Sequence, residues 1–288
     1  MLLQSTTSPT ANTHSSTEHL ISGASLTPCR RWKIKLEPWA NRNHSLEDEA
    51  LRFIKYITTP QVSCEIADSS VLWRDDVQAQ RSWALCLDNR FSLSQRINAK
   101  QCRVYSLGLG EEDKQLEKLL AKAGCEVHCF DPSIKEAHLQ DSDMWLHRLS
   151  VDWRDPNPAM AQRQHGGTKK LAAILNHYGH RQVDVLKIDM ESAEWKILEN
   201  LIVDGVLYSV GVLLLEVHLH WAGFEVSGDE PSVVRYWFSL LRELQNAHFN
   251  LYHSYSNPEK PRLFLQKNIH NASSVYILGW VNTCYSPQ

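Results

Sequence analysis

Hydrophobic and polar positions change their spacing twice along the chain, and the changes divide it into three stretches. Residues 1–44 read as a disordered or linker segment: Ser and Thr dominate to about residue 28, and so few large apolar groups cannot offset the entropy of ordering the chain. The basic run "CRRWKIK" near its end reads as a solvated edge. Residues 45–100 read as an N-terminal helical cap. In "SLEDEALRFIKYI", Ser45 and Asp48 resemble a capping box, Leu46, Ala50, Ile54 and Ile57 fall on one stripe, and Pro60 closes the helix.

From Cys102 the pattern alternates between strand and helix, and residues 101–288 are expected to form an α/β domain with a mostly parallel sheet and helices on both faces. The expected strands are "CRVYSLG", "CEVHCF", "WLHRLSV", "VDVLKID" and "GVLLLEVHL". Between them, apolar residues recur at helical spacing before Gly124 and Gly179 and again after Ser192 and Pro231. At the C-terminus "FNLYHSY", "RLFLQ" and "SVYILGWV" follow without a helix between them, which predicts antiparallel pairing at one edge.

Composition narrows the function classes. A chain of 288 residues with 43% hydrophobic and 22% charged residues is ordinary for a globular protein, and a net charge of −3 gives no electrostatic reason to bind nucleic acid. No transmembrane segment is expected, because Glu216 and His218 interrupt the most apolar run, "VGVLLLEVHL". The opening "MLLQSTTSPTANTHSST" lacks the apolar region of a secretory signal. The seven cysteines show no zinc-like spacing, and Cys125 and Cys129 read as small apolar filler in a buried strand. Two N-x-S sequons, at Asn43 and Asn271, would accept glycans only in a secretory lumen, so a secretory or extracellular location and a cytoplasmic one both stay open.

Ligands of open α/β sheets bind beyond the carboxyl ends of the strands, so the residues that follow each strand carry the candidate chemistry. The first strand leads into "SLGLGEED", where Gly108 and Gly110 permit a tight turn but no third glycine completes a dinucleotide fingerprint. Glu111, Glu112 and Asp113 then crowd the helix start. They would repel a pyrophosphate there, whereas a cationic sulfonium cofactor such as S-adenosylmethionine tolerates them. Asp131 ends the second strand, where an acid can bind both ribose hydroxyls, and Asp152 after the third is a candidate adenine contact or a turn former. If the later strands run regularly to their ends, Asp189 shares a face with Glu191, and Glu216 with His218 and His220. Such a set could deprotonate a hydroxyl or hold a divalent metal. Alternatively, Glu191 and Glu194 only begin a helix.

These residues also carry a family resemblance. "DVLKIDMESAEWKILENLI" followed by "LLLEVHLHWAGFEVSG" resembles the FkbM-related methyltransferase domain, and within it most closely the methyltransferase-like protein 24 group, over roughly residues 46–283. The resemblance implies a Rossmann-like methyltransferase fold, S-adenosylmethionine as cofactor, and methyl transfer to oxygen on a small-molecule or glycan acceptor; a non-catalytic binding module of the same fold is the alternative. It assigns cofactor binding to Gly108, Gly110, Asp131 and Asp152, and catalysis to Asp189, Glu191, Glu216 and His218. Ser192 stands where the wider family usually has glycine. Relatives in this group are often expected to enter the secretory route.

Overall fold

The structure, a computed structural model, describes residues 33–64, 83–108, 114–134, 139–140, 144–154, 167–191, 193–221, 223 and 227–287. Among the described residues, ten strands are β1 (Arg103–Leu107), β2 (Glu126–Phe130), β3 (Leu139–Gln140), β4 (Met144–His147), β5 (Leu149–Val151), β6 (Gly167–Lys169), β7 (Val183–Ile188), β8 (Val210–His218), β9 (Phe249–Tyr255) and β10 (Val275–Asn282). The α-helices among the described residues are α1 (Leu46–Ile57), α2 (Leu93–Asn98), α3 (Gln115–Lys122), α4 (Leu171–Tyr178), α5 (Glu194–Val203) and α6 (Glu230–Asn246).

Eight strands form one sheet in the order β3-β4-β2-β1-β7-β8-β10-β9. β4, β2, β1, β7 and β8 run parallel, and β10 runs antiparallel to both of its neighbours. Strand order reverses between β1 and β7, since the chain moves outward to β2 from one and to β8 from the other. All six residues of β7 are buried, as expected of a parallel strand covered on both faces. One face packs on α1, α4, α5 and α6 through residues such as Phe53, Leu175, Leu198 and Trp237. The other packs on α2 and α3 through Leu93, Leu116 and Leu120. This is the Rossmann-like α/β arrangement expected, and the last strand is antiparallel, as is the short β3 against β4.

Details differ where periodicity carries no information on tertiary pairing. The last strand is not the outermost, because β10 inserts between β8 and β9. "WLHRLSV" breaks after His147 into β4 and β5, and β5 pairs with β6 in a separate two-stranded sheet. "RLFLQ" forms no strand and contributes only a bridge between Phe264 and Lys267. Cys125 is not filler: it is bonded to Cys102, and Cys64 to Cys86, while Cys129 is free and buried.

The capping box of α1 forms, with Ser45 Oγ accepting from the Asp48 amide at 3.2 Å. The helix sinks its inner face into the main core. Phe53 lies 6.0 Å from the rings of both Trp195 and Phe264, and Trp195 stacks on Trp237 at 4.8 Å.

Candidate active site

Gly108 ends β1 with φ +73° and donates its amide to Phe130 O at 3.1 Å. A β-carbon at this position would lie 1.8 Å from the carbonyl oxygen of Asp189, so only glycine allows the tips of β1 and β7 to meet this closely. The Asp189 amide completes the seam by donating to Leu107 O at 2.9 Å. The seam falls where strand order reverses, the place at which such sheets take their ligands. Asp131 follows β2 directly beside it. Its side chain is buried, its amide donates to His147 O, and Oδ1 accepts from the Ser133 amide at 2.6 Å.

Around the ends of β7 and β8 the fold gathers Asp189, Glu194, Glu216 and His218. Glu194 is the first residue of α5 and is fully buried. Its Oε1 accepts from the His218 amide at 2.8 Å and lies 3.3 Å from the ring Nδ1 of the same residue. The ring's other nitrogen, Nε2, lies 3.4 Å from Glu216 Oε1. Glu194 therefore fixes both the backbone and the imidazole of His218, and the imidazole faces a second carboxylate. Glu194 Oε2 is buried without a hydrogen-bond partner among the described residues.

Burial, reinforced by the negative charge of Asp189, pushes the Glu216 carboxyl up to about 7. Burial alone would lower His218, but the hydrogen bond and charge of Glu194, helped by Glu216 and Asp189, outweigh it and raise the imidazole above its ordinary value. Both groups therefore favour their protonated forms, and the Glu216 carboxyl exchanges its proton close to neutral pH.

The structure brings Gly108, Asp131, Asp189, Glu216 and His218 to the carboxyl end of the sheet. Glu191 does not share a face with Asp189: β7 stops at Ile188, and Glu191 is exposed in a left-handed turn at φ 38°. The condition of a strand running on regularly fails there. Asp152 follows β5 in the small sheet, and its carboxylate accepts from the Arg154 amide at 2.9 Å and pairs with the Arg154 guanidinium. That is the turn-forming role weighed for it. Gly110, the acids Glu111 to Asp113, and Ser192 lie outside the described residues. Glu194, read from the sequence as an acid that begins a helix and complements its dipole, proves to be the residue that fixes His218. Its neighbourhood in "ESAEW", which begins three residues after the end of β7, was the available signal.

A sheet of this order, with its penultimate position filled by an antiparallel last strand and its acidic site at the point of reversal, defines a Rossmann-like methyltransferase fold. The chain belongs to the family described as "Methyltransferase domain", whose match spans residues 37–264. It is 55% identical over 255 residues to the "Probable methyltransferase-like protein 24" of Homo sapiens, covering 88% of this chain and 70% of that protein. The Rattus norvegicus protein of the same name is 54% identical over equal shares. Among solved structures, a Burkholderia thailandensis 1,6-didemethyltoxoflavin-N1-methyltransferase with bound 1,6-didemethyltoxoflavin and S-adenosylhomocysteine aligns over 85% of this chain and 92% of that one. At 13% identity and a TM-score of 0.28 that likeness carries no argument.

Proposed function

We propose that the chain is an S-adenosylmethionine-dependent methyltransferase that methylates a hydroxyl oxygen of a small molecule or glycan. The observation that carries this reading is the Glu194–His218–Glu216 cluster, built at the end of β8, one strand beyond the reversal point of a methyltransferase sheet.

The residues present fit the cofactor. Gly108 lets the backbone turn tightly where β1 meets β7, and the buried Asp131 carboxylate at the tip of β2 suits a ribose diol. S-adenosylmethionine, when bound, supplies an electrophilic methyl carbon on a sulfonium. As the acceptor oxygen gains that methyl group it loses its proton, and the Glu216–His218 pair is the group in this chain to take it. Glu194 acts through His218, holding the ring with Nε2 toward Glu216. A metal among Asp189, Glu216 and His218 is chemically compatible with this donor set but is not required by the scheme.

Two disulfides and the exposed Asn43 and Asn271 support the secretory lumen or extracellular space as the location. Glycan acceptors are found there, which favours an oxygen nucleophile.

Calorimetric titration with S-adenosylmethionine, followed by methyl-transfer assays across glycans and small hydroxyl compounds, tests the reading. Saturable binding with transfer to oxygen is expected. Failure to bind would overturn it, and transfer confined to nitrogen would overturn the acceptor class. Binding without transfer to any acceptor would favour a recognition module of the same fold.

A further inference from the structure

A second carboxylate and imidazole cluster lies away from the candidate active site, at the amino end and middle of β2. Glu126 and His128 are two apart on that strand and therefore project to the same face. His180, in the turn between α4 and β7, reaches the same point. Glu126 Oε1 lies 2.9 Å from His128 Nε2 and 3.6 Å from His180 Nε2, and the three atoms all lie within 4.8 Å of one another.

We propose that Glu126, His128 and His180 form a binding site for a divalent transition-metal ion of the zinc type, with water completing the coordination.

The donor set is two imidazoles and one carboxylate, which suits zinc and its neighbours and not magnesium or calcium. Tetrahedral ligands about 2.0–2.2 Å from zinc stand roughly 3.3 Å apart, so small side-chain rotations bring these atoms into place. The surroundings match what metal-binding histidines need behind them. A ligating imidazole must offer its other nitrogen to a partner that fixes its orientation. His128 Nδ1 lies 2.9 Å from His147 Nε2, whose Nδ1 in turn lies 3.0 Å from the Tyr178 hydroxyl. His180 Nδ1 lies 2.6 Å from the Tyr105 hydroxyl. Both ligand rings thus have an outer partner already in place. Arg103 pairs with Glu126 Oε2 at 2.8 Å, which orients the carboxylate and leaves Oε1 for the metal.

The proton count balances. Without metal, His128 and His180 direct Nε2–H toward Glu126 Oε1 and accept at Nδ1 from their outer partners. With metal, each ring keeps one proton but carries it on Nδ1, and His147 and the two tyrosine hydroxyls reverse roles. Binding therefore exchanges tautomers and ionises no ring. The Glu126 side chain is 38% exposed and gives the ion a path from solvent.

The test is calorimetric titration of the chelator-treated full chain with Zn²⁺, paired with absorption spectra on adding Co²⁺, whose visible bands report a low-coordinate nitrogen and oxygen environment. One equivalent of Zn²⁺ should bind the wild-type chain. His180→Asn and Glu126→Ala should each weaken binding by at least about tenfold, whereas His218→Ala should leave it unchanged. Circular dichroism of each metal-free variant confirms folding, and Glu126, being partly exposed, supplies the variant least able to disturb the core. Absence of stoichiometric binding by the wild-type chain would overturn the proposal. So would binding that survives Glu126→Ala and His180→Asn but is lost in His218→Ala, since the ion would then sit at the other end of the sheet.

Discussion

At the carboxyl end of the sheet, Glu216 and His218 face each other at 3.4 Å with Glu194 and Asp189 close by, and both titrating groups are raised. At the amino end, Glu126 and His128 face each other at 2.9 Å, and the carboxyl is held down to about 2 by the His128 hydrogen bond and by Arg103. The residue types are the same and the charge states are opposite. An excess of buried carboxylates at one end favours protons there, while a guanidinium at the other fixes the carboxylate as an anion. Exchangeable protons belong to chemistry; a fixed anion backed by oriented imidazoles belongs to holding something in place.

Breaking the carboxyl-end cluster should have the largest effect. His218→Ala is expected to slow methyl transfer by roughly 100- to 10,000-fold while leaving S-adenosylmethionine affinity nearly intact, as single-turnover kinetics and calorimetry would show. An equal loss of binding would mean that His218 holds the cofactor instead. Asp131→Ala should weaken cofactor binding by about 10- to 100-fold, because a hydrogen-bonded charged group contributes roughly 1.5–3 kcal/mol. Unchanged affinity in a titration of this variant would remove the ribose role.

The two ends should also differ in the sign of their pH dependence. Glu216 rises from 4.5 to about 7 on folding, so the native state binds the extra proton, and stability falls as pH climbs through that window. His218, also raised, loses its contribution in the same direction. Glu216→Gln should therefore stabilise the chain at pH 8 by about 1–3 kcal/mol and flatten its decline, read from denaturant midpoints at several pH values. Glu126 moves from 4.5 to about 2, so its contribution is complete above pH 4.5 and is lost as pH falls toward 2. Its partial exposure to solvent screens the interaction, and Glu126→Gln should cost under about 1 kcal/mol at pH 7, vanishing in acid. A melting series from pH 2 to 7 that showed no convergence of the two chains would contradict this.

Much of the sheet was legible in the sequence because fully buried strands such as β7 and β8 are written as apolar runs punctuated by Gly, Pro and Asp. The tips of the strands were legible too, which is how Gly108, Asp131, Asp189, Glu216 and His218 came forward. What could not be read depends on contacts distant in sequence. Glu194 looks like any helix-starting acid until its burial against His218 is seen. Glu191 was assigned to a strand face that ends three residues too early, because periodicity does not reveal where backbone pairing stops. The alternation of Glu126 and His128 was visible in "CEVHCF", but its partner His180 arrives from more than fifty residues away.

The Cys102–Cys125 bond spans 23 residues and joins the starts of β1 and β2. The enclosed stretch holds all of β1, Gly108 and α3, so one side of the proposed cofactor site sits on a covalent ring even in the denatured chain. In chain-entropy terms that ring offsets about 3 kcal/mol of ordering cost, so reducing the bond would cost stability in the part of the sheet that carries Gly108.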